Sequence, residues 1–329
     1  MRGLVTVFGG SGFIGGQVVR ALAKQGARIR VAVRRPWQAY RLRLLGEVGQ
    51  IEIVQANVRV AETVSRALID AEAVVYAAGT PFQYGAQTFA SVRAEGPGEV
   101  AAAAAAQGIA RMAMISGIGA SPDALAASAR AVAAGEAAAR AAFPGVTILR
   151  PSVVFGPDDA FFNKLAQIAA LSPVMPVFGG GEARIQPVFV ADVARAVAAA
   201  LSDPATAGRT YELGGPAIHT YRQLVELVLA VTDRRRTLVS VPWGLAGMLA
   251  AGGDLLAALH GPMPMLLKPP LTTDQLDLLR IDNVASGPGL AELGVTAPVA
   301  LEAVLPSYLY RYRKGGQYAE LTAPEPLPG

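Results

Sequence analysis

The sequence predicts an α/β fold, a doubly wound parallel sheet with a smaller, mostly helical C-terminal part. Three observations lead there. Short, continuously apolar runs rich in β-branched residues alternate with helical stretches through the first half of the chain. A glycine-rich turn joins the first such run to the first helix. Past Arg150 the alternation gives way to segments broken by proline and glycine. A strand covered by helices on both faces is apolar along its whole length, whereas a half-exposed one alternates.

In chain order the first strand is Leu4–Phe8, followed by the turn Gly9–Gly15 and a helix over Phe13–Lys24 that stops at Gly26. Further strands are expected at Ile29–Val33, Ile51–Gln55, Ala73–Ala77, Met112–Ser116 and Thr147–Leu149. Helices are expected over Ala61–Leu68, Glu95–Gln107 (with alanines from Ala101 to Ala106) and Pro122–Ala142. Pro151, Pro157, Pro173, Pro176 and Gly179–Gly181 then interrupt the pattern. A helix over Val190–Leu201 and a strand at Thr210–Leu213 are expected to return to the main sheet. From Pro216 onward only helices are expected. The predicted organisation is therefore a first domain of residues 1–152, rejoined by 187–215, and a smaller part from 153–186 and 216–315. Residues 316–329, proline-rich from Thr322, are expected to be a mobile tail.

Composition narrows the function. Of 329 residues, 52% are hydrophobic and 16% charged, against ~25% charged in an average protein, which excludes a disordered chain. No cysteine is present, so disulfides and thiolate chemistry are excluded. His219 and His260 are the only histidines and lack partners at ligand spacing, so no metal is expected. The net charge of +4 is mild and fits an anionic ligand or surface, and no nucleic-acid-binding module occurs. The chain starts a strand at once, with no leader-like apolar region. Its longest uncharged runs, Leu165–Gly181 and Thr237–Gly253, contain proline or glycine and fall short of the ~20 residues of a membrane span. A soluble or surface-bound chain is expected.

The strongest local signal is Gly9-Gly-Ser-Gly12-Phe-Ile-Gly15 between a strand and a helix. The first glycine permits a tight turn, the second a close backbone approach by a pyrophosphate, the third close packing of helix on strand. The helix N-terminus then favours the anion. The alternative is a purely structural turn. The spacing resembles the short-chain dehydrogenase/reductase superfamily in its extended or atypical branch, which implies a Rossmann-type sheet. Arg34 and Arg35 follow the second strand, where an acidic residue would select NAD. Two arginines can instead pair with a 2′-phosphate, which points to NADP(H); the alternative is a solvated basic turn before Pro36. By the same resemblance Asn57, beside Val58, stands where the superfamily usually has an aspartate near the adenine. Ala77-Ala78-Gly79 resembles the small-residue turn beside the cofactor ribose. The expected cofactor contacts are Gly9, Gly12, Phe13, Ile14, Gly15, Arg34, Arg35, Asn57, Val58, Ala77, Ala78, Gly79, Ser116 and Pro151.

The resemblance also implies a catalytic Tyr with a Lys one helical turn later, which lowers the Tyr pKa. Ser116 in Met114-Ile-Ser116-Gly matches the accompanying serine, and Gly135-Glu136 matches the context of the catalytic helix. That alignment puts Ser128 at the Tyr position and Val132 at the Lys position. No tyrosine lies between Tyr84 and Tyr211, and Lys164 is the one lysine there. No catalytic residue is therefore assigned.

Several further segments narrow the resemblance: Thr147-Ile-Leu-Arg-Pro-Ser-Val-Val-Phe-Gly-Pro157, Phe161-Phe-Asn-Lys-Leu165, Ile185–Val193, Tyr211–Pro216 and Leu271-Thr-Thr-Asp-Gln-Leu-Asp-Leu-Leu-Arg-Ile-Asp-Asn283. Over roughly residues 1–310 the chain resembles the nucleotide-binding accessory subunit of respiratory complex I, the alpha subcomplex subunit 9 family of NADH:ubiquinone oxidoreductase. That implies a held NADP(H), no turnover of its own, and other complex I subunits as partners on a peripheral arm near the membrane and quinone site. For a bacterial version this means the cytoplasmic side of the inner membrane. The apolar stretch Val241–Leu267 reads either as a helical lid over the cleft or as a surface for partner subunits or lipid. Tyr308-Leu-Tyr-Arg-Tyr-Arg-Lys314 reads as a solvated end or as a contact with acidic lipid head groups or a neighbouring protein. The competing reading is a stand-alone NADP-dependent reductase or epimerase of the atypical short-chain type.

Overall fold

The computed structural model describes residues 3–258 and 271–318. Its central sheet has seven strands: β1 (Leu4–Phe8), β2 (Arg28–Val33), β3 (Ile51–Gln55), β4 (Ala73–Tyr76), β5 (Arg111–Ile115), β6 (Thr147–Pro151) and β11 (Thr210–Leu213). All pair in parallel, in the order β11-β6-β5-β4-β1-β2-β3. Every residue of β1 and β4 is buried, as continuous apolar strands require.

Two helical layers cover the sheet. On one face α1 (Phe13–Lys24) and α6 (Val190–Ser202) bury Val18, Leu22, Val193 and Val197 against Val5 and Val7. On the other, α2 (Ala61–Leu68), α3 (Gly96–Ala106) and α4 (Ala127–Ala142) bury Leu68, Val100 and Ala139 against Phe8, Tyr76 and Met112. The period of two along β1 sends Val5 and Val7 to one core and Phe8 to the other. The alanines of α3 let α4 come close. A Cβ on Gly135 of α4 would stand 2.0 Å from the carbonyl oxygen of Arg93, so that contact needs glycine.

The smaller part is built around three two-stranded pairs: β7 (Val154–Phe155) with β10 (Val188–Phe189), the latter from the segment that returns to the main sheet, β8 (Val174–Phe178) with β13 (Thr237–Val241), and β9 (Arg184–Ile185) with β12 (His219–Thr220). Around them lie α5 (Phe161–Leu171), α7 (Tyr221–Val231), α8 (Trp243–Ala258), α9 (Thr273–Leu278) and α11 (Leu301–Leu309), whereas α10 (Gly289–Glu292) packs back on β11 and α6 and adds Leu290 to the core of the main sheet. Phe155, Phe162, Val177, Leu224 and Leu305 form its own core. Asp159 ties it together. This buried carboxylate accepts from the N–H groups of Phe162 (2.6 Å) and Asn163 (3.2 Å) at the start of α5 and from the Tyr308 hydroxyl of α11 (2.5 Å). Burial raises its pKa, against the pull of those hydrogen bonds.

The expectation of helices alone after Pro216 is corrected by β12 and β13. The partner of β13 is β8, which contains Pro176 within its bounds. Proline is tolerated there because a strand in a two-stranded pair leaves one edge unpaired. The helix expected from Pro122 starts at Ala127, after a turn over Ser121–Ala124 and an extended N-cap at Ala126. The helix expected from Glu95 is preceded by a π-helical turn, Ala90–Glu95. Residues 259–267 of the expected apolar surface, and 319–329 of the expected tail, lie outside the described residues; 316–318 form a 3-10 turn. No described helix is long and apolar enough to cross a membrane.

Candidate functional site

Because the sheet is parallel, every segment that follows a strand emerges at the same edge. The chain runs from β1 to β2 on one side and returns to β4 on the other, so a crevice opens at the end of β1. Gly9–Gly15 follow β1, Arg34 and Arg35 follow β2, Asn57 and Val58 follow β3, and Ala77–Gly79 follow β4. Ser116 follows β5 and Pro151 ends β6. The structure thus gathers all the sequence-predicted positions along one edge.

The turn is built as its spacing requires. Gly9 has φ +77°, and a Cβ there would stand 2.6 Å from the carbonyl oxygen of Ala77. A Cβ on Gly15 would stand 2.3 Å from the carbonyl oxygen of Gly9. Gly12 donates to that same oxygen at 2.9 Å. At Gly12 it is the one atom a Cβ would meet within 4 Å, and at Gly79 a Cβ would meet none. Those two glycines border open space. No side chain caps α1, its first turn holds no acidic residue, and the N–H groups of Phe13, Ile14 and Gly15 donate to nothing among the described residues. Free donors, a helix dipole and open space together fit a diphosphate.

Arg34 and Arg35 are exposed, and neither has a carboxylate partner among the described residues. Arg34 Nη2 instead donates to the Tyr84 hydroxyl at 3.3 Å. Asn57 uses its side-chain oxygen locally, accepting from the N–H of Arg59 at 3.2 Å, and Val58 is buried.

The segments expected to carry a catalytic Tyr and Lys make other contacts. The Ser116 hydroxyl donates to Glu136, a buried carboxylate on α4. Arg150 grips the same carboxylate with Nε at 2.9 Å and Nη2 at 2.6 Å, and this hydrogen bonding raises the Arg150 pKa. Ser116 has therefore spent its one proton and can only accept from a ligand. Ser128 is buried in the first turn of α4 and Val132 lies half-buried one turn on. The Ser128 N–H donates to Asp274 at 2.7 Å, from a residue 146 positions away. Ala126 offers α4 no side-chain cap, and Asp274 supplies one. The Ser128 hydroxyl has no partner among the described residues.

Behind Asp274 the guanidinium of Arg93 holds the carbonyl oxygen of Thr80 at 2.7 and 3.2 Å. Burial lowers its pKa; the charge of Asp274 opposes that. Phe82, Tyr84, Phe89, Ala127, Asp254 and Asp274 line an adjoining cavity of about 370 Å³. Asn283 closes the crevice at the other side: its Oδ1 accepts from Ser152 at 2.6 Å, and its N–H donates to the carbonyl of Arg184 at 2.7 Å. The segment Thr273–Asn283 therefore clamps the smaller part onto the sheet edge through Asp274 and Asn283. Asp274 lies in the Leu271–Asn283 segment and Glu136 in the Gly135-Glu136 context, so the sequence held a signal for both. Arg93 and Tyr84 carried none. Among the described residues no cluster suits a metal ion.

One further surface is notable. Helix α8 buries Ala246 and Ala250 but leaves Leu245, Met248, Leu249, Leu255 and Leu256 exposed.

Residues 5–214 match the NAD dependent epimerase/dehydratase family. Along 99% of this chain and 82% of its own length, a mitochondrial protein of Arabidopsis thaliana, NADH dehydrogenase [ubiquinone] 1 alpha subcomplex subunit 9, is 31% identical. A ceramide reductase of Caulobacter vibrioides is 35% identical over 62% of each chain. The dTDP-glucose 4,6-dehydratase DesIV of Streptomyces venezuelae, solved with NAD bound, superposes with a TM-score of 0.71 over 96% of this chain and 97% of its own, at 19% identity. That last likeness confirms the fold.

Proposed function

The chain belongs to the NAD dependent epimerase/dehydratase family and, within it, to the alpha subcomplex subunit 9 family of NADH:ubiquinone oxidoreductase, and from that premise we propose that it is an accessory subunit of respiratory complex I holding NADP(H) as a structural ligand. The observation that carries this reading is an intact nucleotide turn beside a catalytic helix that has Ser128 and Val132 in place of Tyr and Lys. A serine hydroxyl is no stronger an acid than the alcohol it would help to form, and valine carries no charge that could lower its pKa.

In this reading Gly9, Gly12, Phe13, Ile14 and Gly15 hold the diphosphate, Asn57 and Val58 border the adenine, and Ala77–Gly79, Ser116 and Pro151 border the remainder of the dinucleotide. Residues 1–152 and 187–215 form the nucleotide domain. A ligand bound by the folded state alone stabilises it by RT ln(1 + [L]/Kd), ~2.7 kcal/mol at a hundredfold excess over Kd. That would hold α8 and the 273–283 clamp in the form that neighbouring subunits dock. The exposed aliphatic face of α8 supports a peripheral place against protein or membrane lipid, in a bacterium on the cytoplasmic side of the inner membrane.

Arg34 and Arg35 support NADP(H) over NAD(H). Arg34→Ala/Arg35→Ala is expected to weaken NADPH binding roughly ten- to a hundredfold per lost charge-assisted bond, with NADH binding unchanged. Titration calorimetry with both nucleotides decides it, and equal affinities in the parent protein would rule out the 2′-phosphate assignment.

The similarity to a ceramide reductase favours a second reading, a stand-alone NADP-dependent reductase or epimerase. Native gels of membranes separate the two. The accessory-subunit reading expects the protein to migrate with complex I, and deletion to reduce assembled complex and quinone-linked NADH oxidation. A soluble protein whose loss leaves complex I intact would favour the enzyme.

A further inference from the structure

The sheet order makes one contact informative. Strand β1 lies between β4 and β2. The hydrogen bond from Arg34, after β2, to Tyr84, after β4, must therefore cross over the end of β1, where the glycine turn begins. The loop that carries Tyr84 is built to reach. Arg93 holds the carbonyl oxygen of Thr80 at 2.7 Å, and the Thr80 hydroxyl donates to the carbonyl of Phe82 at 2.5 Å. Gln83 accepts from the N–H of Phe89 at 3.0 Å. Tyr84 and Gln87 exchange backbone hydrogen bonds of 3.0 and 2.9 Å around Gly85, which has φ +50°. The Phe82 ring packs on Tyr84 at 5.8 Å between centroids. A tight hairpin, anchored at its base by a half-buried guanidinium, thus delivers one phenol to one exposed cation.

We propose that Tyr84 is a second ligand of the ribose-phosphate group selected by Arg34, and that the Thr80–Thr88 loop straps the nucleotide into the crevice. The inference rests on the nucleotide reading above. A guanidinium and a phenol 3.3 Å apart can both donate to one phosphate oxygen, and neither has another side-chain hydrogen-bond partner among the described residues. The two hydrogen bonds from the half-buried Arg93 to the Thr80 carbonyl make the strap a fixed arm. Release of the nucleotide then requires the Arg34–Tyr84 contact to part, so the strap acts on the dissociation rate and favours the phosphorylated ribose.

The experiment uses the full chain freed of bound nucleotide, with reduced-nicotinamide fluorescence to follow binding and release. Tyr84→Phe keeps the ring and removes one donor. It is expected to speed NADPH release and weaken NADPH binding about tenfold, the worth of one hydrogen bond to a charged group, while NADH is unaffected. In Arg34→Ala the further effect of Tyr84→Phe on NADPH is expected to shrink, because the two act on one phosphate. Tyr84→Phe that releases NADPH at the parent rate, or weakens NADH and NADPH equally, overturns the proposal while leaving nucleotide binding in place. A parent protein that binds neither nucleotide overturns both, and unchanged thermal unfolding of the nucleotide-free variant separates a lost contact from a lost fold.

Discussion

Gly9→Ala is expected to abolish nucleotide binding and to destabilise the nucleotide-free chain by about 2–5 kcal/mol. Two costs combine. The backbone at φ +77° charges an L side chain ~1–2 kcal/mol. The new methyl group would also stand 2.6 Å from the backbone oxygen of Ala77 and the N–H nitrogen of Ala78, and forced overpacking costs ~1–3 kcal/mol. Neither neighbour is a flexible side chain that can swing away; both belong to the segment leaving β4. Relief therefore means parting the ends of β1 and β4, which is where the crevice lies. Gly15→Val is expected to act similarly, against the oxygen of Gly9 at 2.3 Å. Gly12→Ala is the informative contrast. It meets one atom, at 3.2 Å, so the fold should survive while the methyl group enters the space a diphosphate needs. Denaturant unfolding and calorimetry read the two effects separately. A Gly9→Ala protein with the parent's midpoint would contradict the packing argument, and one that bound NADPH as before would contradict the site.

Glu136→Ala is expected to cost about 3 kcal/mol, near the low end for breaking a buried ion pair. Glu136 is buried, but the Arg150 side chain keeps 26% of its exposure, so water recovers part of the loss. The second carboxylate, Glu212, stands 3.9 Å from Arg150 and recovers a little more. Most of the cost is the desolvated guanidinium left behind, not the worth of the pair. Two measurements test that account. Arg150→Met in the Glu136→Ala background should restore stability toward the parent, because no charge is then stranded. Glu136→Gln should cost less than Glu136→Ala, since its amide oxygen can still accept from Arg150. If Arg150→Met adds its own full cost in the Glu136→Ala background, the pair is not coupled as the bidentate geometry requires.

The glycine turn and the elements around it were legible because they are written in short range. Strand, Gly9–Gly15 and helix are contiguous, each glycine answers a local steric demand, and strands that are apolar along their whole length declare a sheet covered on both faces. Arg34 and Arg35 are likewise read from their place at the end of β2. The missing Tyr and Lys were visible for the same reason: a helix fixes their spacing. The strand β13 was not legible, because Thr237–Val241 is half-exposed and takes its definition from β8, some sixty residues earlier.

By itself the sequence determined the order of the sheet's elements along the chain, the conformation of the turn, the charge beside it, and that Ser128 and Val132 stand where the resemblance puts Tyr and Lys. All of these rest on interactions within a few residues, or on a periodicity that a single element displays. The tertiary structure alone decided that Asp274 caps α4, that Glu136 takes both the Ser116 proton and the Arg150 fork, and that Tyr84 meets Arg34 across β1. These partners are 14 to 146 residues apart. A hydrogen bond needs its donor and acceptor within about 3 Å, and in this chain only the folding of a parallel sheet, which sends every loop to one edge, brings them there.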